Sequence, residues 1–321
     1  MFAAVHHAEL IALRMGKPFG SIVLAIAVTV IEVALIISLM YSAKAGGEFL
    51  ARDTVFATVM LVLNGVVGLC LIVGGAQHHE QRFQTDAAAT ALSVLGTLAV
   101  ITLVLPNYTR TVPGPYYSAS QLIFVSVCSV ALYGVFLFIQ TVRHRNYFLS
   151  EPETEDAAAG PNRGSAELPS LRLTLLSLVF LCLSLAAVIL LAKLLSHPLE
   201  DAIDAAGLPK AFTGAVVATV VLLPEGLAAI FAAGRNRLQA SLNLALGSAM
   251  ATIGLTIPIV SIAALTSGYR ITLGLAAEET ALLLLTLFIS TITLATGRTT
   301  ILQGCVHFVI FAVFLFLAGV P

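Results

Sequence analysis

Two glutamates, Glu32 and Glu225, stand in the middle of long apolar blocks, and neither has a basic residue within a helical turn. An ionised carboxylate deep in hydrocarbon costs about 3 kcal/mol or more. Such a side chain either keeps its proton or meets a cation. A position that alternates between the two makes H⁺ and metal compete for the same oxygens, and that competition is what couples one movement to the other. The null alternative is a structural glutamate bonded to a neighbouring helix, and it loses weight when two glutamates occupy matching places in two similar segments.

Other donors can be read around the pair. Thr29 precedes Glu32 by about one turn, and Asn64 and Ser248 are further oxygen donors in apolar blocks. Pro224 removes a helix hydrogen bond and Gly226 loosens the chain, so the backbone around Glu225 is expected to free carbonyls for a cation. Two carboxylates suit Ca²⁺ on charge, and that ion takes about six to eight oxygens. Gly247, His307 and Glu279 are accessory candidates. His307 lies inside the last apolar block, as a packing residue or a proton relay, and Glu279 starts a block where it can border an outer vestibule.

The elements that must carry these residues are membrane helices. Of 321 residues 59% are hydrophobic and only 10% charged, well below the charged share of a soluble domain. A spanning helix needs about 20 apolar residues. Nine blocks qualify: 19–41, 55–76, 87–105, 120–142, 171–195, 211–233, 241–266, 273–294 and 301–320. Ten of the 16 Lys and Arg residues fall on the side of the N-terminus, which predicts a cytoplasmic N-terminus in a bacterial inner membrane. Residues 150–170, acidic and rich in Ala, Pro and Gly, read as a flexible cytoplasmic linker between a first repeat (1–149) and a second (171–321).

The two halves resemble each other. Gly20–Ile36 reads GSIVLAIAVTVIEVALI and Gly214–Ile230 reads GAVVATVVLLPEGLAAI. The next block in each half is rich in small residues, Asn64-Gly65-Val66-Val67-Gly68 in one and Gly247-Ser248-Ala249-Met250-Ala251 in the other. With the spans counted above, the two glutamate helices run in opposite directions. The predicted fold is therefore an all-α, polytopic bundle of two inverted-topology repeats with the site at their interface. Four spans fall in the first half and five in the second, with Met1–Lys17 as the remnant of a truncated leading helix.

Composition and motifs narrow the function. A net charge of −1 argues against nucleic acid as a partner, leaving the lipid bilayer and inorganic cations, and oligomeric state stays open. No HExxH or GxSxG motif is present, so an enzyme is not expected, and no cofactor is implied beyond the transported ions. A passive cation channel is the alternative to an antiporter. It more often needs a filter ring from several subunits.

His7–Met40 resembles the first core repeat of the calcium/proton exchangers of the cation/calcium exchanger superfamily, and is most similar to the ChaA-type branch of bacterial sodium–potassium/proton and calcium/proton antiporters. GAVVATVVLLPEGLAAI resembles their second core repeat, and GSAMATIGLTIP (Gly247–Pro258) their Gly-Ser-led helix ending in proline. Tyr133–Thr141 and Thr296–His307 are also similar to that branch. The resemblance implies two five-helix inverted repeats, alternating access, and Glu32 and Glu225 as shared cation and proton ligands. It departs from the family pattern at Val28-Thr29-Val30, where Gly-Asn-Ala is usual, at Leu222 in place of a second asparagine, and at Ala251 in place of a glutamine. These changes remove side-chain oxygens, so Na⁺ or K⁺ stands open beside Ca²⁺.

Overall fold

A computed structural model describes residues 2–15, 19–42, 46–143 and 169–320. Ten helices carry almost all of it. They are α1 (Phe2–Met15), α2 (Phe19–Ser42), α3 (Gly47–His78), α4 (Thr85–Tyr108), α5 (Ala119–Arg143), α6 (Leu171–Ala205), α7 (Ala211–Gly234), α8 (Leu238–Ser267), α9 (Ala277–Ala295) and α10 (Ile301–Gly319). Among the described residues eight helices, α3 to α10, contain a stretch long and apolar enough to cross a membrane. The chain is a multi-pass membrane protein built as two inverted-topology repeats.

The nine apolar blocks each fall within or across one of α2 to α10, but two expectations change. Phe2–Met15 forms a helix of 14 residues that packs on α2 and α6, so each half contributes five helices to the bundle. The block 273–294 is helical only from Ala277. Its apolar start is extended chain sealed into the end of the bundle, where Thr272 N donates to Glu48 O (2.9 Å) and Leu275 N to Leu103 O (2.8 Å). Glycine suits position 274, because a Cβ there would run into the Asn107 side chain and lie 2.8 Å from Pro115 Cβ. Apolarity gave the burial correctly and the helix wrongly, since a short buried run reads alike in either conformation. Of the 150–170 linker only residues 169 and 170 lie within the described part.

Local chemistry sets several of the ends. Ser118 and Gln121 form a reciprocal capping box at the start of α5, and Thr300 N is bonded by Gln303 at the start of α10. One large core and one small core result. The large one gathers α3, α4, α7 and α8 around Met60, Leu63, Leu95 and Leu246, and the small one joins α1, α2 and α6 around Ala8, Ile31 and Leu181.

The repeats interlock through their glutamate hairpins. α3 lies along α7, and α2 lies against α8. At Gly214 the crossing is so close that a Cβ would stand 2.7 Å from the Asp53 carbonyl carbon. α3 and α8 each contain a π-helical turn, Leu61–Val66 and Thr252–Thr256. Such turns leave the regular i→i−4 ladder and frequently mark functional positions. At the opposite end from the Gly214 crossing, a two-residue ribbon pairs Gln81 with Thr299 and Arg82 with Arg298.

Candidate functional site

α2 presents Val28, Thr29 and Glu32 on one face, because positions three and four apart share a side of a helix. α8 answers with Leu244, Gly247, Ser248, Ala251 and Thr252, a stripe of the same period. Between them is a cavity of about 130 Å³ that also takes in Glu225 from α7 and Tyr133 and Gln140 from α5. Both glutamates therefore border one space, contributed by opposite repeats.

Each carboxylate receives a hydroxyl from α8. Thr252 Oγ1 donates to Glu32 Oε2 at 2.8 Å, and Ser248 donates to Glu225. One turn separates the two donors, so a single helix face serves both acids. Glu32 is 2% exposed, and its second oxygen, Oε1, is buried without a formed hydrogen bond, the Thr256 hydroxyl standing near the carboxylate and itself unbonded. Thr29 is buried one turn away on the same wall. Gly247 leaves its share of the cavity open, since a Cβ there would meet nothing within 4 Å. Gln140 and Asn243, near the end of α5 and the start of α8, carry the cavity toward the end of the bundle that holds the Gln81–Thr299 ribbon.

The other sequence candidates lie elsewhere. Asn64 was expected among the cation ligands. Its amide instead donates to Thr286 Oγ1 (2.9 Å) and its oxygen faces His307 Nδ1 (3.0 Å), in a buried cluster that does not border the cavity. Pro224 is accommodated inside the continuous helix α7. The carbonyl it leaves without a partner belongs to Val220 one turn earlier, and neither Val220, Pro224 nor Gly226 lines the cavity. Gly226 serves helix approach, with Val66 Cγ2 3.2 Å from where its Cβ would be. Glu279 caps α9 through Ala276 N (2.9 Å) and borders a smaller cavity of about 70 Å³ with Asp53 and Glu278. No group of three or more His, Cys, Asp or Glu side chains among the described residues is arranged to hold a metal.

Sequence reasoning missed Thr252, Tyr133, Gln140 and Asn243 as members of the site. Thr252 was legible in principle, because it stands four residues after Ser248 and so extends the same hydroxyl stripe. Tyr133 was not. It reaches the cavity because Gly254 admits it, a Cβ there falling 2.7 Å from the tyrosine's own.

Comparison with known proteins gives a consistent set of relatives. Residues 1–142 and 176–320 match the model of a family described as sodium/calcium exchanger protein. The chain is 55% identical over 321 residues to the "Putative ionic transporter y4hA" of Sinorhizobium fredii (strain NBRC 101917 / NGR234), spanning 100% of this chain and 86% of that one. It is 37% identical over 314 residues to the sodium-potassium/proton antiporter ChaA of Escherichia coli (strain K12), spanning 98% and 84%. In fold it is similar to native YfkE, with a TM-score of 0.76, 16% identity and coverage of 99% of this chain and 88% of that one. It is also similar to the H⁺/Ca²⁺ exchanger CAX, with a TM-score of 0.67, 18% identity and coverage of 98% and 78%.

Proposed function

The chain belongs to the sodium/calcium exchanger protein family, and from that premise we propose that Glu32 and Glu225 are the shared ligands through which it exchanges an inorganic cation for protons. The protein is a secondary active cation antiporter. Its relatives bear the names of antiporters and exchangers, and nothing among them favours a channel. They are transporters, and none carries the name of an enzyme.

One observation carries the assignment of the site. Glu32 Oε1 is buried without a formed hydrogen bond while Oε2 is bonded, in a space that a second carboxylate also borders. A buried polar atom left unmade costs about 1–3 kcal/mol, more if charged. A proton or a cation at that oxygen removes the penalty, and both cannot occupy it together. Thr29, Ser248 and Thr252 add hydroxyl oxygens, and Asn243 and Gln140 add amides along the approach. This donor set is all oxygen, which suits Na⁺, K⁺ or Ca²⁺ and not a soft metal.

The cavity extends toward one end of the bundle while the Gly214 crossing is tight near the other, which supports a conformation open to a single side. Arg143, Arg235, Arg237 and Arg298 stand at or beside the helix ends on the cavity's side of the bundle, and this excess of basic residues supports reading that end as the cytoplasmic side of a bacterial inner membrane. Residues 150–170 then lie in the cytoplasm as well. Cation-dependent proton flux in everted membrane vesicles tests the assignment. Glu32→Gln and Glu225→Gln should each abolish flux with Ca²⁺, Na⁺ or K⁺ supplied in turn. Full flux in either variant would remove that glutamate from the mechanism.

A further inference from the structure

A buried polar cluster outside the cavity joins α3, α9 and α10. Its members are Asn64, Thr286, Thr293 and His307, none more than 3% exposed. The bonding directions are set by chemistry. Asn64 Nδ2 donates to Thr286 Oγ1 (2.9 Å), so the oxygen left facing His307 Nδ1 at 3.0 Å can only accept. Nδ1 therefore carries the hydrogen, and in the neutral ring Nε2 accepts from the Thr293 hydroxyl at 3.1 Å. At its far end the chain stops at a thioether, with Thr286 Oγ1 3.4 Å from Met60 Sδ. A thioether takes no proton onward, and none of these residues borders the cavity of Glu32 and Glu225.

The cluster sits on the π-turn of α3. Asn64 is inside Leu61–Val66, where the backbone leaves the α ladder for i→i−5 bonds such as Val67 N to Val62 O, and the side-chain bonds of Asn64 add to them. α10 grips the same stretch on either side of His307. A Cβ on Gly304 would lie 2.8 Å from the Gly68 carbonyl oxygen, and the Phe311 ring stands 3.4 Å from where a Cβ on Gly65 would be. Across α3, the last residue of the turn, Val66, packs against Gly226, the neighbour of Glu225.

We propose that His307 and Asn64 are positioning residues for cation exchange: their bond fixes the π-turn of α3, and the turn, through Val66 on Gly226, sets where Glu225 stands. The inference rests on Glu225 being a cation ligand. His307 acts by holding a donor–acceptor pattern and carries no proton between solvent and the site.

The test is cation-dependent proton flux in proteoliposomes, using whichever of Na⁺, K⁺ or Ca²⁺ drives flux in the unmodified protein. His307→Leu should raise the KM for that cation roughly tenfold with Vmax largely kept, the order expected from one buried hydrogen bond. His307→Gln, whose amide donates to Asn64 and accepts from Thr293 but cannot shuttle a proton, should restore KM with proton coupling intact. A lost coupling in His307→Gln would overturn the proposal in favour of a relay, and an unchanged KM in His307→Leu would overturn it outright. Asn64→Leu removes the same bond from its other partner, so it gives the same reading if His307→Leu fails to fold. A raised KM supports the proposal and an unchanged KM refutes it. Failure of the underlying site is read separately, as flux surviving Glu225→Gln.

Discussion

Replacing Thr252 by Val keeps the volume of the side chain and removes the hydroxyl that donates to Glu32. The bond is 2.8 Å long, and both partners are 2% exposed. A hydrogen bond to a charged acceptor contributes about 1.5–3 kcal/mol. That bond favours the anion, the form a cation needs, over the acid. Thr252→Val therefore shifts the competition toward the proton by roughly tenfold or more at fixed pH, since 1.4 kcal/mol is a factor of about 10. The assay is cation KM from proton flux in vesicles, measured at several pH values. KM should rise about tenfold near neutral pH and return toward the parent value when the pH is raised by about one unit, because each unit removes a factor of ten of competitor. Thr252→Ser should behave as the parent. A KM raised equally at every pH would mean that Thr252 shapes the cavity without acting on the carboxylate. An unchanged KM would refute the reasoning.

Two further substitutions separate packing from transport. Gly247→Leu projects into open space, so its melting temperature in detergent should stay within about 2 °C of the parent while flux falls at least severalfold, because the new side chain occupies the cavity. Gly214→Ala meets the Asp53 backbone at 2.7 Å and should destabilise by about 1–3 kcal/mol, read as a lower melting temperature.

The bundle was largely legible because hydropathy reports directly on what lipid requires. Each of α2 to α10 has its apolar block, and the matched glutamate segments marked the repeat. Errors arose where the same apolar signal served a different purpose. Ile271, Leu273 and Leu275 are buried as extended chain closing the end of the bundle, and no periodicity distinguishes that from the first turn of a span. The site was half legible. Glu32, Glu225, Thr29 and Ser248 border one cavity, since charge in an apolar block is rare enough to notice and polar residues could then be sought in the matching segments. Asn64 satisfied the same criterion and lies elsewhere, because residue type does not say which face of α3 it occupies. That face is decided by the π-turn, which shifts the register of every side chain beyond it and leaves no mark in hydropathy.

The two repeats have consequently diverged in the work done by the helix that follows each glutamate helix. α8 gives Ser248 to the glutamate of its own repeat and Thr252 to the glutamate of the other. The π-turn of α3 turns its polar residue away, toward α9 and α10. Any displacement of α2 against α8 must therefore break the Thr252–Glu32 bond, while Ser248 and Glu225 sit on helices packed together within one repeat. Glu32, with one oxygen already lacking a formed hydrogen bond, is the acid whose environment changes most when the halves shift. On the proposed assignment, a shift of the halves would therefore alter the competition between proton and cation at Glu32 before it alters that at Glu225, whose hydroxyl donor lies within its own repeat.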